Sequence, residues 1–516
     1  MKRLWFGLSL VILVSVIAWM GIYRNSALKL HHAVEQLQAA LPPHTVLTYR
    51  SAVPSFLVRG VTLRDVTFKS GHNSFHASFI RLGHPQFLHD GKLVLSSLIL
   101  KNTGYKTSKL QLDIQKTVFR HLIIPAAPGK LDNDLTANSM RSLATLLAFN
   151  PENLASLRFA RTHIENLHLQ FTTPIETPYK NLTIRNARTD SLTLEGYGLG
   201  KRIFGALKNL SLGINITRDN LNSFGTTLAS TLLFPEGIQT PSSLPATLSF
   251  SSIEGKEGMT RLLQHPFKGD SKVTRDFWEK PLDLPWSSTG SVVINNTKLA
   301  FNETSDKNSA TLDTLYLSRR DENDSLRTEL FLKGFHIRPS HNLDLPFTVN
   351  GAEGTLRATL QSRREDQLWQ SDATAHLSLD RIGDITLNSH YSLPYENPFY
   401  QPPRVLHNFA RNLEFNNTIM AIHGDHFVDL GLALARQVTP EIPREQLRET
   451  ITQDLTTLGE KRSFTAPLAD YVRDPHDRTL NVSLGTLSSA MLSQLPLDAP
   501  AETIIDALHV TSINAR

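Results

Sequence analysis

The segment LVRGVTLRDVTF, from Leu57 to Phe68, carries the pattern that decides the fold. Its apolar residues alternate with polar ones in two halves, Val61 and Leu63 in the first and Val66 and Phe68 in the second. Such alternation predicts a β-strand with one apolar face. The polar pair Arg64-Asp65 between the halves adds one residue, which would turn the second half to the opposite face. A β-bulge there would absorb the extra residue, bend the strand and keep one face apolar.

The same arrangement recurs along the chain. The copies are Leu93 and Leu95 before Ser96-Ser97 with Leu98 and Leu100 after it; Ile164 before Glu165-Asn166 with Leu167 and Leu169; Leu207 before Lys208-Asn209 with Leu210 and Leu212; and Leu312 before Asp313-Thr314 with Leu315 and Leu317. Asp, Asn and Ser suit a bulge because they tolerate irregular backbone and hydrogen-bond locally. Chance pairs in a β-rich chain are the alternative interpretation, but the repetition favours real bends. Repeated bends on one side would curl a long sheet, and the irregular spacing excludes a fixed-period solenoid.

Alternating segments with short turns predict antiparallel meanders, and helical periodicity returns after the linker Tyr395 to Pro403. The sequence therefore predicts a mainly β protein with α elements (α+β): an N-terminal transmembrane helix, a long curled antiparallel β-sheet body and a helical C-terminal segment. The expected domains are a signal anchor (1–24), a juxtamembrane helix (25–43), a first β-rich domain with a helical insert near 137–149 (44–270), a second β-rich meander (286–394) and a mainly helical C-terminal domain (404–516). The clearest C-terminal elements are helices at Asp425–Val438, Pro443–Leu458 and Phe464–Arg473 and a strand at Leu480–Leu484.

The segment Leu4 to Tyr23 carries no charge and is long enough for a helix of about 30 Å, the thickness of a bilayer's hydrocarbon core. The expected anchor residues, with aromatic rings near both interfaces, are Leu4, Trp5, Trp19 and Tyr23. The short basic N-terminus before it favours a cytoplasmic N-terminus and an exported body. A cleaved signal peptide is the alternative, with Val16-Ile17-Ala18 as the cleavage site, although the apolar run continues past Ala18.

Composition limits the classes of function and the location that the sequence allows. The chain has 516 residues, a formal net charge of +5 and no cysteine. The excess of Lys and Arg has two interpretations, attraction to anionic lipid headgroups or ordinary solubility. The absence of cysteine excludes disulfides, thiolate metal sites and cysteine nucleophiles, so an exported body fits a bacterial periplasm. The expected location is the bacterial inner membrane, with a single pass and a periplasmic body. No cofactor is expected, and no basic segment interleaved with aromatic residues suggests nucleic acid.

The segment IHGDHFVD, Ile422 to Asp429, is the best metal candidate. Its candidate ligands are His423, Asp425, His426 and Asp429. His and Asp are common metal ligands, and an HxDH fragment occurs in binuclear metallohydrolases. Ala421 stands where that motif has a further histidine, and Asp425 suits a helix cap equally well. The segment is a weak metal candidate, and no catalytic residue is predicted.

The anchor, the short helix after it and the strand phrases VRGVTLRDVTF (Val58–Phe68) and KLVLSSLIL (Lys92–Leu100) together resemble AsmA-like and related uncharacterised membrane-anchored periplasmic proteins of Gram-negative bacteria. The phrase LADYVRDPHDRTLNVSL (Leu468–Leu484) is similar to the closing segment of anchored envelope proteins of unknown function. The resemblance implies a long, curled β-sheet whose concave apolar face holds lipid acyl chains. It supplies no catalytic residues.

The leading functional expectation is a non-enzymatic, single-pass inner-membrane protein that binds phospholipid or another envelope amphiphile, or helps to maintain the envelope. The lipid-facing candidates are the apolar residues of three bulged strands: Val61, Leu63, Val66, Phe68, Leu93, Leu95, Leu98, Leu100, Leu312, Leu315 and Leu317. One alternative is a periplasmic scaffold that docks an envelope protein partner through its C-terminal helices. A second is a metal-dependent envelope hydrolase that uses His423, Asp425 and His426.

Overall fold

A computed structural model provides the fold. It describes residues 25, 27–41, 44–55, 59–127, 137–138, 140–142, 157–176, 182–197, 199, 204–216, 244–256, 290–301, 309–322, 325–337, 352–365, 368–393, 414–438, 441–485, 487–488, 501–507 and 509–515. These form two compact units. Unit 1 contains the described residues within Met1–Thr173 and Asn186–Leu207, and unit 2 those within Pro174–Arg185, Lys208–Leu262 and Lys280–Arg516.

The described part of the chain is mainly β with a few helices, which confirms the predicted class. The strands are β1 (Thr45–Thr48), β2 (Ser51–Ser55), β3 (Gly60–Ser70), β4 (Asn73–Gly83), β5 (Gln86–Phe87), β6 (Leu93–Lys106), β7 (Leu110–Ile124), β8 (Arg158–Glu176), β9 (Leu182–Glu195), β10 (Phe204–Ile216), β11 (Leu244–Lys256), β12 (Gly290–Phe301), β13 (Ser309–Glu322), β14 (Ser325–Ile337), β15 (Ala352–Glu365), β16 (Leu368–Leu379), β17 (Gly383–Leu393), β18 (Glu414–His423), β19 (Thr479–Leu484), β20 (Leu487–Ser488) and β21 (Val510–Ala515). The helices are α1 (27–40), α2 (Phe427–Val438), α3 (Arg444–Lys461), α4 (Ala466–Arg473) and α5 (Ala501–Ala507), with a short helical stretch at 137–138 and 140–142 and a 3₁₀ turn at Ser463–Thr465.

The predicted anchor, Leu4 to Tyr23, lies outside the described residues. Within them, none of the helices combines the length and the apolar composition that crossing a bilayer requires. The described chain begins near α1, which buries Leu30, Val34 and Leu37. Leu37 forms a cluster with Met140, and Leu47 of β1 packs against it, so the apolar side of α1 is occupied by the protein itself.

Unit 1 is built on an antiparallel sheet. Strands β1 and β2 both pair with β3, and the ladder continues through β4, β6, β7 and β8. Two clusters of apolar side chains bury one face of this sheet. The first centres on Val66, Phe68, Phe75, Ala77 and Ile80, and the second on Leu93, Leu95, Leu122, Ile124, Leu157 and Phe159.

Polar pairs in the repeated sequence pattern coincide with left-handed backbone. Asp65, Asn166 and Asn209 each occupy the second position of such a pair and have φ near +50°. In the other two copies the left-handed residue lies on a neighbouring strand, as at Asn296 and Gly334, which flank Asp313. Asn and Asp tolerate this backbone better than other non-glycine residues. The predicted irregularities are therefore real.

The predicted mechanism, an extra residue on one strand, is wrong for the β3–β4 pair. Arg64 pairs with Phe79 and Val66 with Ala77, so the ladder resumes in the same register after one missing pair. Asp65 and Ser78 lie opposite each other at the missing pair. The alternation of side chains between the two faces therefore shifts by one residue on both strands at once. Side chains before and after the break therefore stay in one apolar cluster.

Equivalent hydrogen bonds bridge neighbouring strands at these breaks in the two units. In unit 1 the Asn102 side-chain amide donates to Ser78 Oγ (3.1 Å), and Ser78 Oγ donates to the Lys101 carbonyl (3.0 Å). In unit 2 Asn296 donates to Ser251 Oγ (2.9 Å), and Ser251 Oγ donates to the Asn295 carbonyl (3.1 Å). Both asparagines have φ between +45° and +49°.

Unit 2 contains an antiparallel meander from β11 to β18, which β19 and β21 then extend. The predicted helices at Asp425–Val438 and Pro443–Leu458 correspond to α2 and α3, within a few residues at each end. The expected division into a meander (286–394) and a separate helical domain (404–516) does not match the units. Strands β18 and β19 pair with the meander, so the C-terminal helices belong to the same unit as its sheet.

Candidate functional site: one apolar face in unit 2

One face of the unit 2 sheet is apolar across ten strands. Two sets of residues, paired directly across successive strands, define it. The first apolar row is Ile253, Ile294, Leu315, Leu332, Leu356, Leu377, Ile385, Ile422, Leu480 and Ala515. The second apolar row is Val292, Leu317, Leu330, Ala358, Ala375, Leu387, Met420, Val482 and Ile513. Directly paired residues point to the same side of a sheet, so both rows share one face.

The opposite face is largely polar or mixed. The row between the two apolar rows is Glu254, Val293, Tyr316, Phe331, Arg357, His376, Thr386, Ala421, Asn481 and Asn514. A one-sided apolar sheet must be covered by another layer or must leave hydrocarbon exposed to water.

At one end the apolar rows are covered by helices. Leu480, Val482 and Ile513 are at most 7 % exposed, and they pack with Val428 and Leu432 of α2. Leu484 of β19, Leu447 of α3 and Tyr471 of α4 complete this cluster, and Met420 and Ile422 contact it. We call the part of the rows on β18, β19 and β21 the covered end.

From β11 to β17 the same rows are only half-buried, and we call this part the open stretch. None of its row residues belongs to the buried core. Strands lie about 4.8 Å apart, so the open stretch extends over roughly 29 Å. Half of a bilayer's hydrocarbon core is about 15 Å thick, so a lipid acyl chain would fit within that length.

The predicted lipid-facing residues divide between the two units. Leu312, Leu315 and Leu317 of β13 are half-buried, and Leu315 and Leu317 belong to the apolar rows. In unit 1 Val66, Phe68, Leu93 and Leu95 are buried against other side chains, and Val61, Leu63, Leu98 and Leu100 are half-buried beside them. Contact of any of these residues with lipid stays a prediction.

Sequence reasoning missed most of the open stretch. Alternation predicts β14 to β17 as strands, but only strands with the bulge pattern supply lipid-facing candidates. That pattern is absent around Leu332, Leu356, Leu377 and Ile385, so it does not indicate them. Their simple alternation was the available signal, but the cross-strand register that joins them is set by turns and is not visible in the sequence.

The four metal candidates have other partners. Asp425 accepts hydrogen bonds from His476 Nδ1 (2.7 Å) and the Asp477 amide (3.1 Å). His423 contacts Thr479 Oγ1 through Nδ1 at 3.0 Å. Among the described residues, no group of three or more His, Asp or Glu side chains is arranged to hold a metal ion.

Asp429 lies in the first turn of α2 and is nearly buried. Its Oδ2 lies 2.8 Å from His426 Nδ1, and its Oδ1 accepts hydrogen bonds from Arg448 Nη2 (2.8 Å) and from Arg444 Nη2. Two guanidinium groups already balance this carboxylate, so it links α2 to α3. This network connects the helices that cover the sheet, and its position indicates a structural role.

A scan against protein-family models found no match to the chain, and neither did searches of curated proteins and of solved structures.

Proposed function

We propose that the chain is a non-enzymatic, membrane-anchored protein of the bacterial cell envelope that binds the acyl chains of phospholipids or similar amphiphiles on the open stretch. The observation that supports the proposal is the change in burial along one continuous apolar face. Burial of hydrocarbon is worth about 0.8 kcal/mol per methylene, so an acyl chain that covered the half-buried side chains would bind by the same force that holds the helices at the covered end.

The location is part of the same proposal. The apolar segment Leu4 to Tyr23 supports a single inner-membrane anchor, and the lack of cysteine supports a periplasmic body. The repeated left-handed positions support a sheet that bends at those points, in keeping with the curled sheet expected from the sequence.

The test uses the full chain and an acyl chain that carries a photoreactive diazirine. After irradiation, mass spectrometry maps the cross-linked peptides. The proposal predicts cross-links on β11 to β17, at or beside row residues such as Leu332 and Leu356. Cross-links confined to residues 4–23 would show that lipid contacts only the anchor and would overturn the proposal.

Two adjacent substitutions provide the matched control. Ala375 belongs to the second apolar row, and Thr374 is exposed on the opposite face of the same strand. Ala375→Glu is expected to reduce cross-linking to the open stretch strongly, because a carboxylate would have to lose its water beneath the acyl chain. Thr374→Glu is expected to leave it unchanged. Equal cross-linking in both variants would contradict the proposed site.

The scaffold alternative gains no support from the described residues. Their exposed large apolar side chains are Leu28, Val46, Leu88 and Ile419, and none of these lies on α2 to α5. The metal-dependent hydrolase gains none either, because Asp425 and Asp429 are engaged by His476 and by the two arginines.

A further inference from the structure

The face of the unit 1 sheet opposite its apolar clusters carries three cross-strand rows on β3, β4, β6, β7 and β8. The first is Arg64, Phe79, Lys101, Lys116 and Glu165; the second is Thr62, Arg81, Ile99, Val118 and His163; the third is Gly83, Ser97, Arg120 and Arg161. No break in the ladder separates the three rows, so they share one face. We call this surface the basic face.

The basic face concentrates positive charge. It holds six Lys or Arg residues and one carboxylate, Glu165, which gives a net charge of +5. The whole chain has the same net charge, +5. The basic face alone therefore carries as much net positive charge as the whole chain.

Like charges lie directly opposite each other on this face. Lys101 pairs with Lys116 across β6 and β7, and Arg120 pairs with Arg161 across β7 and β8. Such pairs destabilise a sheet unless anions lie beside them. Glu165 and Glu195 supply an anion to one member of each pair, Lys116 and Arg161. An anionic partner would neutralise the other member of each pair.

Internal carboxylates neutralise only part of the charge. Lys116 pairs with Glu165 at 2.6 Å, and Arg161 pairs with Glu195 of β9 at 3.3 Å. Lys101 lies over the Phe79 ring, 5.5 Å from its centre. Arg64 and Arg120 are exposed, and neither is in an ion pair with a described residue.

Apolar side chains lie among the charges. Phe79, Ile99 and Val118 occupy the middle of the basic face and are half-buried. Basic residues around aromatic and aliphatic ones characterise surfaces that bind the interface of an anionic bilayer, where the cations meet headgroups and the apolar groups enter the boundary layer.

We propose that the basic face of unit 1 binds the anionic headgroups of a phospholipid membrane. Charge complementarity supports an anionic partner. The apolar side chains Phe79, Ile99 and Val118 favour a lipid surface over a soluble polyanion. The proposal does not depend on the acyl-chain site of unit 2, because it uses other residues on another unit.

The test places the full chain in nanodiscs made only of phosphatidylcholine, so that the predicted anchor is already occupied. Flotation then measures capture of these nanodiscs by vesicles of equimolar phosphatidylglycerol and phosphatidylcholine, or by vesicles of phosphatidylcholine alone. Capture by the anionic vesicles only is expected. It should disappear as salt is raised from about 0.15 M to about 1 M, because the screening length falls from about 8 to 3 Å.

The key variant is the double substitution Lys101→Glu and Arg120→Glu. Each basic residue near an anionic surface contributes about a fivefold change in partitioning, so the loss should be at least about 25-fold. The matched control reverses two exposed charges of unit 2, Lys333→Glu and Lys461→Glu, and should retain capture. An equal loss in both variants would show a general charge effect and overturn the proposal.

Three further outcomes would also overturn it. They are equal capture by neutral vesicles, salt-insensitive capture, and binding of soluble polyphosphate without capture by anionic vesicles. Unfolding of the key variant is detected by circular dichroism, and the salt dependence of the unmodified chain then decides the question.

Discussion

The covered end and the open stretch of unit 2 share two rows of residues and one sheet face, yet their side chains differ in burial. Leu480 is 4 % exposed under α2 to α4, whereas Leu356, four strands away in the same row, is half-buried. Cross-strand pairing and side-chain chemistry are alike at both positions. The difference shows that a continuous apolar face does not by itself define a core, since a core also requires a second layer.

The largest expected effect compares these two leucines. Leu480→Ala should lower the free energy of unfolding of unit 2 by about 2–5 kcal/mol, because it leaves a cavity beneath the helices. Leu356→Ala should cost about 1–2 kcal/mol, because less area leaves water when that side chain folds. Urea unfolding of the two variants measures the difference. Equal losses would show that the open stretch is as fully packed as the covered end.

The second expected effect concerns what keeps the helices over the covered end. Asp429→Asn should destabilise unit 2 by about 3 kcal/mol, because Arg444 and Arg448, 16 % and 24 % exposed, would lose their common carboxylate. The control is Asp470→Asn, since Asp470 pairs with Arg473 in solvent and should matter by less than about 0.5 kcal/mol. Thermal unfolding of both variants checks this. A similar small loss in both would remove Asp429 from its proposed structural role.

The third expected effect lies in the open stretch. Asn296→Ala should cost about 1–2 kcal/mol, from left-handed backbone without asparagine's tolerance and from the lost hydrogen bond to Ser251. Asn296→Gly restores the backbone freedom and should cost less than alanine. If glycine is the more damaging substitution, the left-handed backbone is not what selects asparagine there.

Local features of this fold could be predicted from the sequence, whereas the layers could not. Helical periodicity located α2 and α3, and the polar pairs located left-handed residues such as Asp65 and Asn166. These signals depend on neighbours in sequence. The apolar rows depend on the pairing registers of many strands, which several turns separate along the chain. The basic face likewise depends on which lysines and arginines the registers of its strands align.

The network around Asp429 was missed for a related reason. The sequence suggests Asp429 as a metal ligand because its neighbours include His426. The available signal was Arg444 and Arg448, one helical turn apart and therefore on the same side of α3. Only packing of α3 against α2 shows that these guanidinium groups meet Asp429.

The smallest expected effect is a pH dependence at the edge of the covered end, where Asp425 before α2 contacts His476 after α4. The hydrogen bond with His476 lowers the pKa of Asp425 below 3.8, and the hydrogen bond with Asp425 raises the pKa of His476 above 6.5. The lowered pKa of Asp425 stabilises the fold above about pH 4, and this contribution is lost as pH falls through the folded-state value. The raised pKa of His476 stabilises it below about pH 6.5, and this contribution is lost as pH rises through the folded-state value. Nearby Asp474 and Asp477 favour the charged histidine, and His426 favours the charged Asp425.

The melting temperature of the unmodified chain should therefore exceed that of Asp425→Asn most between about pH 4 and 6.5, with a smaller difference on either side. A difference that stays constant across this range would show that the contact between the two turns is held by packing, and that the charge on His476 plays no part in keeping the helices over the sheet.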